Sequence, residues 1–153
     1  MMDYVSPLAL VWLHIGLILW LLPCAIQDRR YHRVSNWLTI PLFLVAWPAA
    51  LLFGTHIITL AVFAGVWAAF HWRTDAAAPR NLGGADGKIA VGIAALTPLG
   101  LMTGIVVQGL AFLVCRLRGQ RDVRLPGAVS FYLGVLVAFV YAVLLLVGKT
   151  VGN

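Results

Sequence analysis

Five carboxylate side chains, all aspartate, punctuate this otherwise apolar sequence, and two of them stand where chemistry is possible. Asp28 lies in Gln27-Asp28-Arg29-Arg30, directly after a long apolar run, and Asp86 lies in Gly83-Gly84-Ala85-Asp86-Gly87-Lys88, directly before another. An ionisable group at membrane depth costs roughly 3 kcal/mol to insert, so its presence there points to function. Two carboxylates that meet at one membrane face can divide the work of peptide hydrolysis. One, ionised, takes a proton from water, while the other, protonated, polarises the scissile carbonyl. Like charges held close cannot both ionise, so such a pair shares a proton. The helix ends they occupy differ, since Asp86 opens a helix at its positive end and Asp28 closes one at its negative end. That asymmetry suits partners with different tasks. Gly83, Gly84 and Gly87 let the backbone come close to an extended substrate strand. Each aspartate alone also has an ordinary reading: Asp86 as a helix N-cap, Asp28 as a solvated charge among arginines. It is the pairing at one face that carries the chemistry.

The elements that must position this pair are membrane helices. The chain has 153 residues, 62% of them hydrophobic and 10% charged, and its mean hydropathy is +0.96. That composition excludes a soluble domain. Six spans of ~20 residues would use ~120 residues, which leaves room for a single transmembrane domain, 1–153, and no separate soluble one. The net charge of +6 sits in short loops between apolar runs, the positive-inside pattern of a membrane protein and not the footprint of a nucleic-acid binder. Cys24 and Cys115 form no metal or redox spacing, so neither a metal site nor a cofactor is expected. No Lys or Arg precedes Arg29, which argues against a cleavable signal.

We read six spans. The first runs from Pro7 to Ile26, followed by a basic loop, 27–35, with Arg29, Arg30 and Arg33. The second runs from about Trp37 to Phe53 with Pro41 and Pro48 inside it, so kinks are expected. Ile57 to Trp72 forms the third, followed by a polar loop with Arg73, Asp75, Arg80 and Asn81. Ile89 to Cys115 is long for one span and short for two, and Pro98-Leu99-Gly100 marks a break within it. A single crossing would put Arg116, Arg118, Arg121 and Arg124 opposite the other basic loops, so two crossings are expected, the fourth helix starting near Asn81. Ala128 to Val147 is the sixth. Both termini then lie outside, and Asp28 and Asp86 share the cytoplasmic face. Gly100-x-x-x-Gly104 and the small residues Ala61, Ala64, Gly65, Ala68 and Ala69 favour close helix approach. Trp20, Trp37 and Trp72 fall where an interfacial belt belongs.

Two stretches carry a family resemblance. Asp28-Arg29-Arg30-Tyr31-His32-Arg33-Val34-Ser35-Asn36-Trp37-Leu38 resembles the type IV prepilin peptidase pattern of Asp, basic residues, then Ile-Pro-Asn and Leu. Gly83-Gly84-Ala85-Asp86-Gly87-Lys88 resembles that family's Gly-x-Gly-Asp-x-Lys motif. The interval between the motifs and the six-span layout fit as well. The resemblance implies an intramembrane aspartyl endopeptidase of the bacterial inner membrane that removes the basic leader of prepilin-like precursors on the cytoplasmic side. Position by position, it makes Asp28 and Asp86 the catalytic pair and Asn36, Gly83, Gly84 and Lys88 supporting motif residues. Ser35, Val34 and Ala85 depart from the usual Pro, Ile and Gly, and Ala85 puts the backbone geometry near Asp86 in question. With neither the cysteine-rich segment nor the length of the long forms, the chain resembles the short, peptidase-only forms of tight-adherence pili.

The remaining polar residues have structural readings. His14 lies ~21 Å from Asp28 along a helix and is expected to make an interhelical hydrogen bond, as is Gln108. His71 and Asp75 read as interfacial and loop residues, and the arginines of 116–124 as topology determinants and lipid contacts. Two other functions stay open. In a small proton-coupled transporter the aspartates would carry protons, although a relay needs groups distributed through the bilayer depth. In an inactive assembly subunit the fold would bind precursors without cutting them.

Overall fold

The computed structural model describes residues 7–53, 84–120 and 125–151, and every element in them is an α-helix. They are α1 (Pro7–Tyr31), α2 (Asn36–Phe53), α3 (Gly84–Leu96), α4 (Pro98–Leu117) and α5 (Gly127–Val151). Three of these helices are long and apolar enough to cross a membrane, over Leu8–Tyr31, Pro98–Leu117 and Gly127–Thr150. The expected third span, Ile57–Trp72, and the polar loop after it lie outside the described residues, which themselves form an all-helical membrane bundle of five helices.

The first helix runs further than the apolar pattern suggests. Hydrophobic residues stop at Ile26, yet α1 continues through Gln27-Asp28-Arg29-Arg30 to Tyr31. Arg29 and Arg30 are good helix formers and complement the negative end of the dipole. The helix stops at His32, which takes φ +50 and donates its N–H to the Asp28 carbonyl at 2.9 Å. Asp28 therefore sits in the helix's last turns and not in a loop. It also sits on the inner face. His14, Leu17, Leu21, Cys24 and Asp28 follow one another at spacings of three or four and are all buried, a single stripe down α1.

α2 stays helical through Pro41 and Pro48. It starts on Ser35, whose Oγ accepts the Trp37 N–H at 3.3 Å, an N-cap arrangement. α2 and α3 run in the same direction, with Asn36 level with Lys88 and Leu42 packed on Gly92. Ala46, Val91 and Ala95 continue the seam. The main core joins Leu17, Leu21 and Cys24 of α1 to Leu42, Ile89, Ile93, Leu101, Ala128 and Val135.

The expected break falls one residue earlier than Pro98, at Thr97. Its Oγ1 accepts the Gly100 N–H at 3.3 Å and caps α4, and Pro98 takes the first helical position, where a missing N–H does no harm. The chain then turns back. Gly100 and Gly104 lie against Gly134 of α5 with backbone touching backbone, and Thr103 Oγ1 donates to the Gly134 carbonyl at 2.9 Å. One step further, Ser130 Oγ donates to Gln108 Oε1. As α4 residues rise in number their α5 partners fall, so α4 runs antiparallel to α5 and returns toward the end where Asp28 lies. This is the direction that two helical segments in 89–115 require, and the Gly100-x-x-x-Gly104 motif is the surface that brings α4 and α5 together. α4 closes on Gly119, at φ +76. The Gly119 and Gln120 N–H groups there donate to the Arg116 and Cys115 carbonyls, both at 3.1 Å, a Schellman stop that needs glycine.

Candidate active site

Four helix ends gather around the two aspartates, the C-terminus of α1 and the N-termini of α2, α3 and α5, and the C-terminus of α4 lies at the same end of the bundle. The convergence follows from direction, since α1 comes down to this end while α2, α3 and α5 leave from it.

Asp28 is 6% exposed, and its Oδ2 accepts the backbone N–H of Ala128, in the first turn of α5, at 2.9 Å. Asp86 lies in the first turn of α3, half-buried. Its carboxyl group rests on Gly127, where an added Cβ would lie 2.8 Å from Cγ and 2.9 and 3.0 Å from the two oxygens. The two carboxylates thus sit on consecutive residues of a third helix. Bond lengths through that backbone keep their oxygens within about 10 Å of each other. The first N–H groups of any helix have no partner within it and form its positive end, and here that end faces both acids. The asymmetry expected from α1 and α3 alone is therefore incomplete, because Asp28 meets a helix N-terminus as well.

The supporting residues have distinct positions. Lys88 Nζ donates to Asn36 Oδ1 at 2.9 Å, so two of the four motif residues hold each other and tie the start of α3 to the start of α2. Gly84 is the first residue of α3; Gly83 lies outside the described residues. Ala85, which replaces a motif glycine, is helical, and among the described residues only His32 combines a side chain with positive φ. The backbone at position 85 does not call for the positive φ that glycine allows. Ser35, which replaces the motif proline, donates its N–H to Gln27 Oε1 at 3.0 Å. A proline has no N–H to give, so the departure adds a tie between the start of α2 and the residue beside Asp28.

Other polar residues fall where the sequence reading put them. His14 is buried, with Nδ1 2.7 Å from the Leu10 carbonyl and Nε2 3.1 Å from Thr97 Oγ1. A neutral ring that donates from Nδ1 and accepts the Thr97 hydroxyl proton at Nε2 satisfies both contacts, while Thr97 still caps Gly100. Gln108 packs against Ser130. The Trp20 indole donates to the Leu38 carbonyl at 2.8 Å, and Trp37 is 88% exposed; Trp72, His71, Asp75 and Asp122 lie outside the described residues. Among the described residues, no group of three His, Cys, Asp or Glu side chains is placed to hold a metal ion. What sequence reasoning missed is the start of α5. Pro126-Gly127 before an apolar run reads as ordinary turn punctuation, and only the fold shows both acids resting there.

A sequence model of the type IV leader peptidase family matches residues 15–151. No curated protein and no solved structure matches the chain.

Proposed function

The chain belongs to the type IV leader peptidase family, and from that premise we propose that it is an aspartyl endopeptidase with Asp28 and Asp86 as its catalytic pair. The observation that carries this reading is the seating of both carboxyl groups on adjacent residues of α5. Its substrates are prepilin-like precursors, cut after a basic leader at the cytoplasmic face of the bacterial inner membrane. The basic residues Arg29, Arg30, Arg116 and Arg118 at the same end of the bundle support that orientation.

The chemistry is acid–base catalysis with water as nucleophile. The ionised carboxylate accepts a proton as the water oxygen attacks the scissile carbonyl carbon. The protonated partner gives its proton to the carbonyl oxygen, and a neutral gem-diol forms. In the second half the C–N bond breaks. The diol returns a proton to the carboxylate that had lost one, and the leaving nitrogen takes the proton that came from water. The leader departs with a new carboxyl terminus and the mature precursor with a free amine, and the pair again holds one proton. With Oδ2 of Asp28 occupied by Ala128, Oδ1 is the oxygen turned over to this exchange.

A proton-coupled transporter is less well supported. Asp28 and Asp86 lie at one end of the bundle, and His14, further along α1, has both ring nitrogens committed. The test is co-expression with candidate precursors, followed by leader removal on gels. Wild type should process, Asp28→Asn and Asp86→Asn should not, and Asp75→Asn and Asp122→Asn should keep most activity. Processing by either of the first two variants removes the pair from consideration, and no processing by wild type favours a precursor-binding subunit.

A further inference from the structure

Resting on the peptidase reading, we infer that Gly127 and Ala128 are positioning residues for the reaction, with Gly127 setting where the Asp86 carboxyl group can sit. Neither aspartate motif contains this segment, which begins 39 residues beyond Lys88, the end of the second motif.

A side chain at position 127 would meet Asp86 before anything else. The three atoms nearest an added Cβ all belong to the Asp86 carboxyl group, at 2.8, 2.9 and 3.0 Å. None is backbone. A carboxyl group at the tip of a side chain can swing aside, so a methyl group here costs the fold little. What it removes is the place the carboxyl group occupies. Ordinary contact begins at 3.4 Å, so Asp86 must retreat by roughly half an ångström or more, and a misplacement of about 1 Å costs up to ~100-fold in rate.

Ala128 supplies the other half. It is fully buried, and its N–H fixes Oδ2 of Asp28. One helix end thereby sets both acids relative to each other, and its positive end offsets the repulsion that two neighbouring carboxyl groups would otherwise suffer. Motif-bearing helices α1 and α3 deliver the acids; α5 sets their register.

The experiment uses the full chain in nanodiscs and a synthetic precursor segment with a basic leader, a glycine and an apolar helix. Gly127→Ala and Gly127→Val are compared with Gly109→Ala, which adds the same methyl group where nothing lies within 4 Å. We expect kcat of Gly127→Ala to fall by about 10- to 100-fold with KM and melting temperature held, a further loss for Gly127→Val, and no change for Gly109→Ala. Wild-type kcat in Gly127→Ala would overturn the inference while leaving the peptidase reading intact. So would a loss of activity that tracks a loss of melting temperature, since Gly127 would then be a packing residue. A wild-type chain that does not cleave overturns both.

Discussion

Gly134→Ala should unsettle the bundle where Gly127→Ala does not, because the atoms in its way are backbone. An added Cβ at Gly134 would lie 2.7 Å from the Gly104 Cα and closer still to the Gly100 carbonyl oxygen and the Gly104 nitrogen. Ordinary contact starts at 3.4 Å, so α4 and α5 must part by roughly 1 Å along this crossing. Overpacking of this kind costs about 1–3 kcal/mol. The Thr103 bond to the Gly134 carbonyl stretches with it, for about 0.6 kcal/mol more. Thr103 can turn its single proton to the Leu99 carbonyl, 2.8 Å away, so no hydroxyl is orphaned. Against this stands a gain in helix propensity of up to ~1 kcal/mol for replacing glycine. The net destabilisation is about 0.6–2.6 kcal/mol, a loss of a few degrees. Scanning fluorimetry in detergent measures it, with Gly109→Ala and Gly148→Ala as references, since added methyl groups there meet nothing. A melting temperature for Gly134→Ala equal to the references would refute backbone contact between these helices. Activity should fall in parallel, because the start of α5 moves with the crossing.

Further outcomes follow from individual contacts. Asp28→Asn keeps an oxygen for the Ala128 N–H, so it should abolish cleavage at near wild-type melting temperature. Asp28→Ala should also destabilise by about 1–3 kcal/mol, because that buried N–H loses its acceptor; equal melting curves for the two would deny the bond a structural role. His14→Leu should lower stability by about 0.6–1.7 kcal/mol through the lost bond to Thr97 while kcat holds; a drop in kcat at constant stability would give His14 a part in the chemistry. Gly119→Ala places a side chain at φ +76 and should cost about 1–2 kcal/mol, read as a lower melting temperature with unchanged kcat. Cleavage rate against pH should trace a bell whose limbs belong to the aspartate pair as a unit. A rate still climbing above about pH 9, with the fold intact, would mean that no protonated carboxyl group takes part.

How much of this was readable in the sequence differs from element to element, for physical reasons. The two aspartates stood out because ionisable groups are rare at membrane depth, and both lie at one end of the bundle. His14 and Gln108 were readable as packing residues because polar side chains in apolar helices must find partners. The end of α1 was misjudged because hydropathy reports contact with lipid, not helicity, and Arg29 and Arg30 continue a helix past the apolar boundary. The inner face of α1 was hidden by uniform hydrophobicity, yet His14 and Asp28, fourteen residues and nearly four turns apart, already marked it. The pairing of Asn36 with Lys88 and the tie from Ser35 to Gln27 depend on which helix ends meet, and no local pattern encodes that. The seat on α5 was the least legible, because a glycine is informative only once its neighbour is known.

That seat also imposes an order on how the protein comes to be. Synthesis produces Asp28 first and Asp86 well before Gly127, so a chain emerging from the ribosome carries both acids through a period in which neither has its resting place. Until α5 is inserted, Asp28 lacks the Ala128 N–H and Asp86 lacks the hollow at Gly127. Both acids reach their seats on α5 only at the final stage of assembly. On the peptidase reading, a chain stopped before α5 holds both aspartates of the two motifs and should cleave nothing.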